Sequence, residues 1–280
     1  MDKINISTSM IHLTDKEFLK LTSYIKLNYG INLTNKRIVI EGRMSNTLKE
    51  RGFKSFSEYF EVLFADKSGT EMTNLLNRLT TNHSYFLREL EHFNYLKNIV
   101  LPELEKRCSD HVLRIWSAGC SAGQEPYTMA MVIDEYFGSQ KHLWDTTILA
   151  TDISEKVLDK AKRGIYAPDE IKDIPANWMK KYMVLQPDGN YRVCDKILKE
   201  VIFRKGNLMD NFTFKKPFDL ISCRNVMIYF DSATKDKLID KFYNCTADGG
   251  YLFVGHSEVV NKKSTSYTYV KPAIYKRGGR

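Results

Sequence analysis

The 280-residue chain has few cysteines, and they are not paired. Cys108, Cys120, Cys194, Cys223 and Cys245 form no C-x-x-C spacing. This argues against a zinc site and against the disulfide framework of a small secreted domain, and no metal is expected. No stretch approaches ~18 consecutive apolar residues, so no membrane-spanning helix is expected. Met1 to Met10 lacks a charged segment leading into an apolar core, so no signal peptide is expected either. A cytoplasmic protein without membrane insertion is the expectation. Repeats and low-complexity tracts are absent. So are the dinucleotide fingerprint G-x-G-x-x-G and the P-loop with its Lys-Ser/Thr.

What is present is a substantial core. The chain is 43% hydrophobic and 12% aromatic, which excludes global disorder and allows one large domain or two smaller ones. A net charge of +8 favours an acidic partner, whether nucleic acid, an anionic membrane surface or an acidic protein, unless it is only a soluble basic surface.

Two styles of sequence meet near residue 95. Before it, Phe18, Leu19, Leu21, Tyr24 and Ile25, then Phe56, Tyr59, Phe60 and Leu63, recur at helical spacing. Thr14-Asp-Lys-Glu17 reads as a capping box, and Ser55 or Ser57 as a second helix start. Residues 11–90 are therefore expected to form a helical bundle, with Leu96–Cys108 a helix linking the halves. After it, short strand patterns (112–118, 147–151, 201–204, 218–223 and 251–255) alternate with helical ones (126–137, 154–164 and 233–245). That alternation predicts right-handed crossovers and a parallel sheet, hence an α/β domain. Tyr267–Val270 and Ala273–Lys276 predict an antiparallel addition at its edge. Between Ile165 and Glu200 the alternation breaks around Pro187-Asp-Gly-Asn190, which predicts an inserted hairpin with helical flanks.

The segment Arg114-Ile-Trp-Ser-Ala-Gly-Cys-Ser-Ala-Gly-Gln-Glu-Pro-Tyr127 runs from the first strand of this domain into a helix. Open sheets bind ligands there, at the carboxyl ends of their strands. Its glycines, Gly119 and Gly123, are spaced G-x-x-x-G, and Glu125 follows where a helix N-terminus would otherwise attract an anion. Asp152 ends the second strand, where a carboxylate can accept from both ribose hydroxyls. A nucleoside with a cationic tail and no phosphate suits both positions, as S-adenosylmethionine does and NAD does not. The plainer alternatives are that Glu125 only complements the helix dipole and that Asp152 N-caps the helix from Ser154. Cys120 and Cys223 read as small core residues, since no histidine stands near them.

Six segments occur together and in order: Leu79-Thr-Thr-Asn-His-Ser-Tyr-Phe-Leu-Arg-Glu89, the loop above, Ala150-Thr-Asp-Ile-Ser154, Gly206-Asn-Leu208, Cys223-Arg-Asn-Val-Met-Ile-Tyr-Phe230 and Gly255-His-Ser-Glu258. With them the chain resembles, from about residue 12 to 276, the CheR family of chemotaxis methyltransferases. These transfer methyl groups from S-adenosylmethionine to glutamate side chains of chemoreceptors. The resemblance implies an all-helical N-terminal domain (11–90) followed by a Rossmann-like class I methyltransferase domain (91–280). The latter would have a mostly parallel sheet, an antiparallel C-terminal hairpin and a small β-subdomain inserted at about 168–203.

The same resemblance implies a cofactor site of Asn82, Ser84, Arg88, Gly119, Glu125, Asp152, Asn207, Leu208, Asn225 and Val226. Ser84 stands where the family commonly has Thr, and Gln124 where it often has Glu. Read without the resemblance, Arg88 and Glu89 would be solvated residues of a charged helix, Asn225 a turn residue, and Tyr229 and Phe230 core. Methyl transfer to a carboxylate needs no general base, because the carboxylate is already ionised. Arg88 and Tyr229 are the candidates for orienting it. Lys36, Arg37, Arg43 and Arg51, with Lys49 and Lys54, are expected to form a basic face for the acidic methylation region of a chemoreceptor. The hairpin turn Gln186–Asn190 looks short for tethering a receptor C-terminal peptide, and no tethering is expected. A monomer, with no nucleic-acid partner, is expected as well. An exocyclic-amine methyltransferase would show Asn/Asp-Pro-Pro-Tyr/Phe where Cys223-Arg-Asn-Val-Met227 stands. A plain chemotaxis enzyme is expected ahead of a fused regulator or a non-catalytic adaptor.

Overall fold

The computed structural model describes residues 10–80 and 84–278 and divides into two compact units at Asn82/His83.

The first unit is helical. Its helices are α1 (Asp15–Tyr29), α2 (Arg37–Glu50), α3 (Phe56–Ala65) and α4 (Thr70–Leu79). The capping box forms: Glu17 N donates to Thr14 Oγ1, and Glu17 Oε2 accepts from Thr14 N. Such caps contribute about 1 kcal/mol each. Gly30, left-handed at φ 72°, ends α1, and Ser55 caps α3. Leu21, Ile25, Ile40, Leu48, Phe56 and Tyr59 make its core, all nearly inaccessible to solvent.

The second unit opens with a continuous rod of α5 (Leu90–Tyr95), a π-helical turn (Leu96–Val100) and α6 (Leu101–Arg107). The helix anticipated as a link between the halves is instead packed into this unit. Phe93, Leu96, Val100, Leu101 and Leu104 belong to its main core cluster. Phe86 is also in that cluster, which is why residues 84–90, expected with the helical bundle, lie on the other side of the division.

Then follow β1 (Ile115–Ala118), α7 (Gln124–Phe137), β2 (Ile148–Asp152), α8 (Glu155–Arg163), β3 (Ile165–Tyr166), α9 (Ala176–Tyr182), β4 (Met183–Leu185) and β5 (Tyr191–Val193). Next come α10 (Asp195–Leu198), β6 (Val201–Lys205), β7 (Phe218–Cys223), α11 (Ser232–Cys245), β8 (Thr246–Val254), β9 (Thr268–Lys271) and β10 (Ile274–Lys276). The large sheet has the order β6-β2-β1-β7-β8-β10-β9. Its first five strands pair in parallel, and β10 pairs antiparallel with both β8 and β9. β1 and β7 are buried at every position, Ser117, Asp219 and Ser222 included, as central strands of a parallel sheet covered on both faces are.

The insertion is a three-stranded antiparallel sheet of order β3-β5-β4. It begins at Ile165, slightly earlier than the anticipated 168, because Ile165 pairs with Arg192. The Pro187–Asn190 turn closes through Gly189, left-handed at φ 82°, with Gln186 N donating to Asn190 O at 2.8 Å. Buried Asp134 on α7 fastens the insertion, accepting from Tyr182 Oη at 2.9 Å and pairing with Lys181 at 3.3 Å and with Lys196.

Candidate functional site

The loop after β1 sits at the carboxyl edge of the sheet. Gly119 N and Cys120 N both donate to Thr151 O, at 2.8 and 2.9 Å, so the ends of β1 and β2 are locked together. Gly119 has φ 82°, and a Cβ there would lie 2.4 Å from Val226 Cγ2. Gly123 has φ 91°, and a Cβ would lie 2.9 Å from Ala161 Cβ. Both glycines are therefore fixed by backbone angle and by close approach. The result is a loop cradle packed closely against the segment after β7.

Asp152 does not cap α8. Ser154 does, and Asp152 Oδ1 accepts from Ser154 N while Oδ2 accepts from Ser121 N, both at 2.9 Å. Burial pushes its carboxyl above the usual range, against the pull of these N–H donors. Gly206 N donates to Asp152 O at 3.0 Å, which places Asn207 and Leu208 beside the same strand end. Asn207 Oδ1 accepts from Met209 N, folding that loop back on itself.

Glu125, in the first turn of α7, is more than a complement to the helix dipole. Its Oε1 accepts from Ser117 Oγ at 2.7 Å and its Oε2 from Arg224 Nη1 at 2.9 Å. Arg224, with its side chain 2% exposed, also pairs with Glu89 at 3.1 Å and donates to Arg88 O. Burial pushes the Glu89 carboxyl up, but Arg224, His256 N–H and the Asn225 amide together hold it below its ordinary value. Two half-buried carboxylates around one buried guanidinium leave one net negative charge at the edge of the core.

Arg88 and Glu89 are not on a helix. They lie in the turn before α5, with Leu87 at φ 61° and Glu89 at φ 57°. Left-handed non-glycine residues cost of order 1–3 kcal/mol each and persist where the surroundings over-determine them. Here the Glu89 contacts do so. The Arg88 guanidinium stands 5.6 Å from the Tyr85 ring, and Ser84 is half-buried just before it. Asn82 lies outside the described residues.

Asn225 is left-handed at φ 59°. Its N donates to Glu258 Oε2 at 2.9 Å and its Nδ2 to Glu89 Oε1 at 3.2 Å. Glu258, 4% exposed, also accepts from Gly255 N at 2.6 Å and Ile228 N at 3.2 Å. It holds the whole Asn225–Tyr229 turn, which carries Val226 over Gly119 and Tyr229 at its end. Neither Arg224 nor Glu258 was singled out by sequence reasoning, although both stand inside quoted motifs. Burial drives the Cys120 and Cys223 thiols well above their ordinary value, with nearby carboxylates adding, so both stay protonated core residues.

In the helical unit, Lys36 is exposed ahead of α2, and the three arginines are engaged. Arg37 pairs with Asp15 at 2.6 Å and stacks over Phe18. Arg43 donates to Arg78 O and Leu79 O, closing the carboxyl end of α4. Arg51 forms a two-pronged pair with Glu71.

Two family models cover most of the chain. "CheR methyltransferase, all-alpha domain" matches residues 16–80 and "CheR methyltransferase, SAM binding domain" residues 82–275. The chain belongs to the CheR methyltransferase family. A chemotaxis protein methyltransferase of Borreliella burgdorferi is 41% identical over 281 residues, covering 99% of this chain and 98% of its own. That of Escherichia coli is 32% identical over 273 residues, covering 96% and 93%. Among solved structures, the glycopeptide N-methyltransferase MtfA complexed with (S)-adenosyl-L-methionine aligns with 55% of this chain and 51% of its own, at 13% identity and a TM-score of 0.31. This CheR-family chain is thus a chemotaxis methyltransferase that uses S-adenosylmethionine. Among the described residues, no helix is long and apolar enough to cross a membrane.

Proposed function

We propose that the cradle at the carboxyl edge holds S-adenosylmethionine and that the acceptor is a glutamate carboxylate of a chemoreceptor. The observation that carries this reading is the Glu125–Arg224–Glu89 cluster, one net negative charge beside the Gly119–Gly123 loop. A half-buried anionic cluster attracts a cation more strongly than an exposed one, because water screens it less. The cofactor supplies, when bound, a methyl group activated on a sulfonium.

Each residue then has a task. Asp152 accepts from the ribose hydroxyls with the lone pairs that its two N–H donors leave free. Asn207 and Leu208 flank the base. Val226 and Asn225 close the methionyl side, held there by Glu258. Ser84 and Arg88 complete the wall from the strained turn. Arg88 and Tyr229 orient the incoming carboxylate. No residue need remove a proton, since a glutamate is ionised near neutral pH. What remains is alignment, for which rigidly held groups are the right equipment. Lys36, Arg37, Arg43 and Arg51 contribute positive potential that draws an acidic substrate, even where they also serve the helical unit's structure.

Calorimetric titration with S-adenosylhomocysteine, with NAD as control, tests the cofactor half. Glu125→Ala and Asp152→Ala should each weaken binding about tenfold or more, about 1.4 kcal/mol. Transfer of labelled methyl into a base-labile ester on a cytoplasmic receptor fragment tests the acceptor half. A folded protein that ignores S-adenosylhomocysteine would overturn the proposal.

A further inference from the structure

Resting on the acceptor assignment above, we propose that a groove beside the C-terminal hairpin receives the acidic segment of the protein substrate that carries the target glutamate. The groove, about 650 Å³, lies between the 256–262 segment, the start of α11 and the β9–β10 edge. Lys235, His256, Val259, Lys262 and Tyr269 are among its lining residues.

Three observations converge. The first is position. The loops after β1, β2 and β6 occupy one half of the sheet's carboxyl edge and carry Gly119, Asp152, Asn207 and Leu208, while Asn225 and Val226 follow the central strand β7. β8 runs parallel to β7 and ends at Val254, so the segment following it stands on the same edge, in the other half. An acceptor must approach the cofactor along that edge. The groove also abuts the Tyr229 turn, because Glu258 lines the groove and holds Ile228 N and Asn225 N from within it.

The second is charge. Neither Lys235 nor Lys262 makes an ion pair with a described residue, in contrast to the engaged arginines of the helical unit. The Lys262 ammonium instead lies 4.4 Å above the Tyr269 ring. Among the described lining residues Glu258 is the one carboxylate, and it is buried and occupied by backbone donors. The groove therefore offers two uncompensated cations, with Lys263 exposed just beyond.

The third is exposed apolar surface beside that charge. Val259 is 79% exposed, and Tyr269, on the edge strand β9, is 44% exposed. Such surface suits the aliphatic stems of a glutamate-bearing helix better than a fully hydrated anion.

The test is the double charge reversal Lys235→Glu/Lys262→Glu, assayed beside wild type for methyl transfer to a receptor fragment at low and high salt. The expected result is a fall in kcat/KM of about tenfold at low salt, mostly through KM, shrinking as salt rises. S-adenosylhomocysteine affinity and Tm should stay at wild-type values. Tyr269→Ala, which removes no charge, should raise KM at both salt concentrations. If wild type methylates and both variants match it, the groove assignment is overturned alone. If the variants lose affinity for a duplex oligonucleotide while methylating normally, the groove serves nucleic acid and the assignment is overturned. If wild type binds S-adenosylhomocysteine and methylates no receptor fragment, the acceptor assignment falls, and this one with it.

Discussion

Arg224 and Glu89 are 135 residues apart in the chain and 3.1 Å apart in the fold. Through this pair and the Arg224–Glu125 contact, a turn, a strand end and a helix start become one unit. The guanidinium also lies 5.2 Å from the Phe93 ring, which removes it further from water.

Replacing Arg224 with Ala leaves two half-buried carboxylates facing each other without their counter-ion. Breaking a fully buried ion pair costs about 3–5 kcal/mol, and one whose carboxylates keep some water costs less. Urea unfolding should register that loss, and S-adenosylhomocysteine binding should fall with it. Arg224→Lys, which keeps charge but cannot reach Glu89, Glu125 and Arg88 O together, should recover only part of both. Full recovery would show that charge alone matters there.

Gly119→Ala should fold but bind cofactor poorly. The added methyl would sit 2.4 Å from Val226 Cγ2, so Val226 or the loop must move. Combining it with Val226→Ala should restore part of the S-adenosylhomocysteine affinity. The residual loss reflects φ 82°, which alanine adopts at a cost of roughly 1 kcal/mol. A single variant with unchanged affinity would remove Gly119 from the site.

His92 makes stability pH-dependent. Burial pushes its imidazole down to about 4, with the Arg224 guanidinium acting the same way and Glu89 opposing. The unfolded chain protonates it near pH 6.5, so between these values the unfolded state holds more protons. Stability therefore falls as pH drops through that window, by up to about 3 kcal/mol. Asp152 and Glu258, pushed up by burial, act in the opposite sense at the acid end. His92→Phe should flatten the slope of unfolding free energy between pH 6.5 and 4.5. An unchanged slope would assign it to other groups.

Asp134→Ala should loosen the inserted sheet. It deprives Lys181 and Lys196 of a buried partner and leaves Tyr182 Oη with Glu135 at 2.7 Å and the long contact to Met131 O at 3.5 Å. Limited proteolysis should then cut within the 170–198 region faster than in wild type, while cofactor affinity holds. Equal cleavage rates would mean that packing of Tyr182 alone secures the insertion.

Local signals were legible in the sequence. The capping box at Thr14, the Gly189 turn and the alternation of strands with helices all express short-range rules, and each is present in the fold. The strand-end positions of Gly119 and Asp152 were legible for the same reason. Arg224 was not, since nothing in Cys223-Arg-Asn-Val marks the arginine as buried. Its partners Glu89 and Glu125 stand 135 and 99 residues away. Arg43 and Arg51 read as a solvated basic face because their acceptors, Arg78 O, Leu79 O and Glu71, come from a different helix. The Leu96–Cys108 helix read as a link because periodicity reveals an apolar face without saying which unit will cover it.

The burial of Cys120 and Cys223 gives the experimenter a clock. A thiol-alkylating reagent can reach either sulfur only when the loop after β1 or the end of β7 opens, since both residues are inaccessible in the closed fold. The rate at which these two thiols are labelled reports how often the cradle breathes. A ligand that braces the cradle would slow that rate, whether or not any methyl group is transferred.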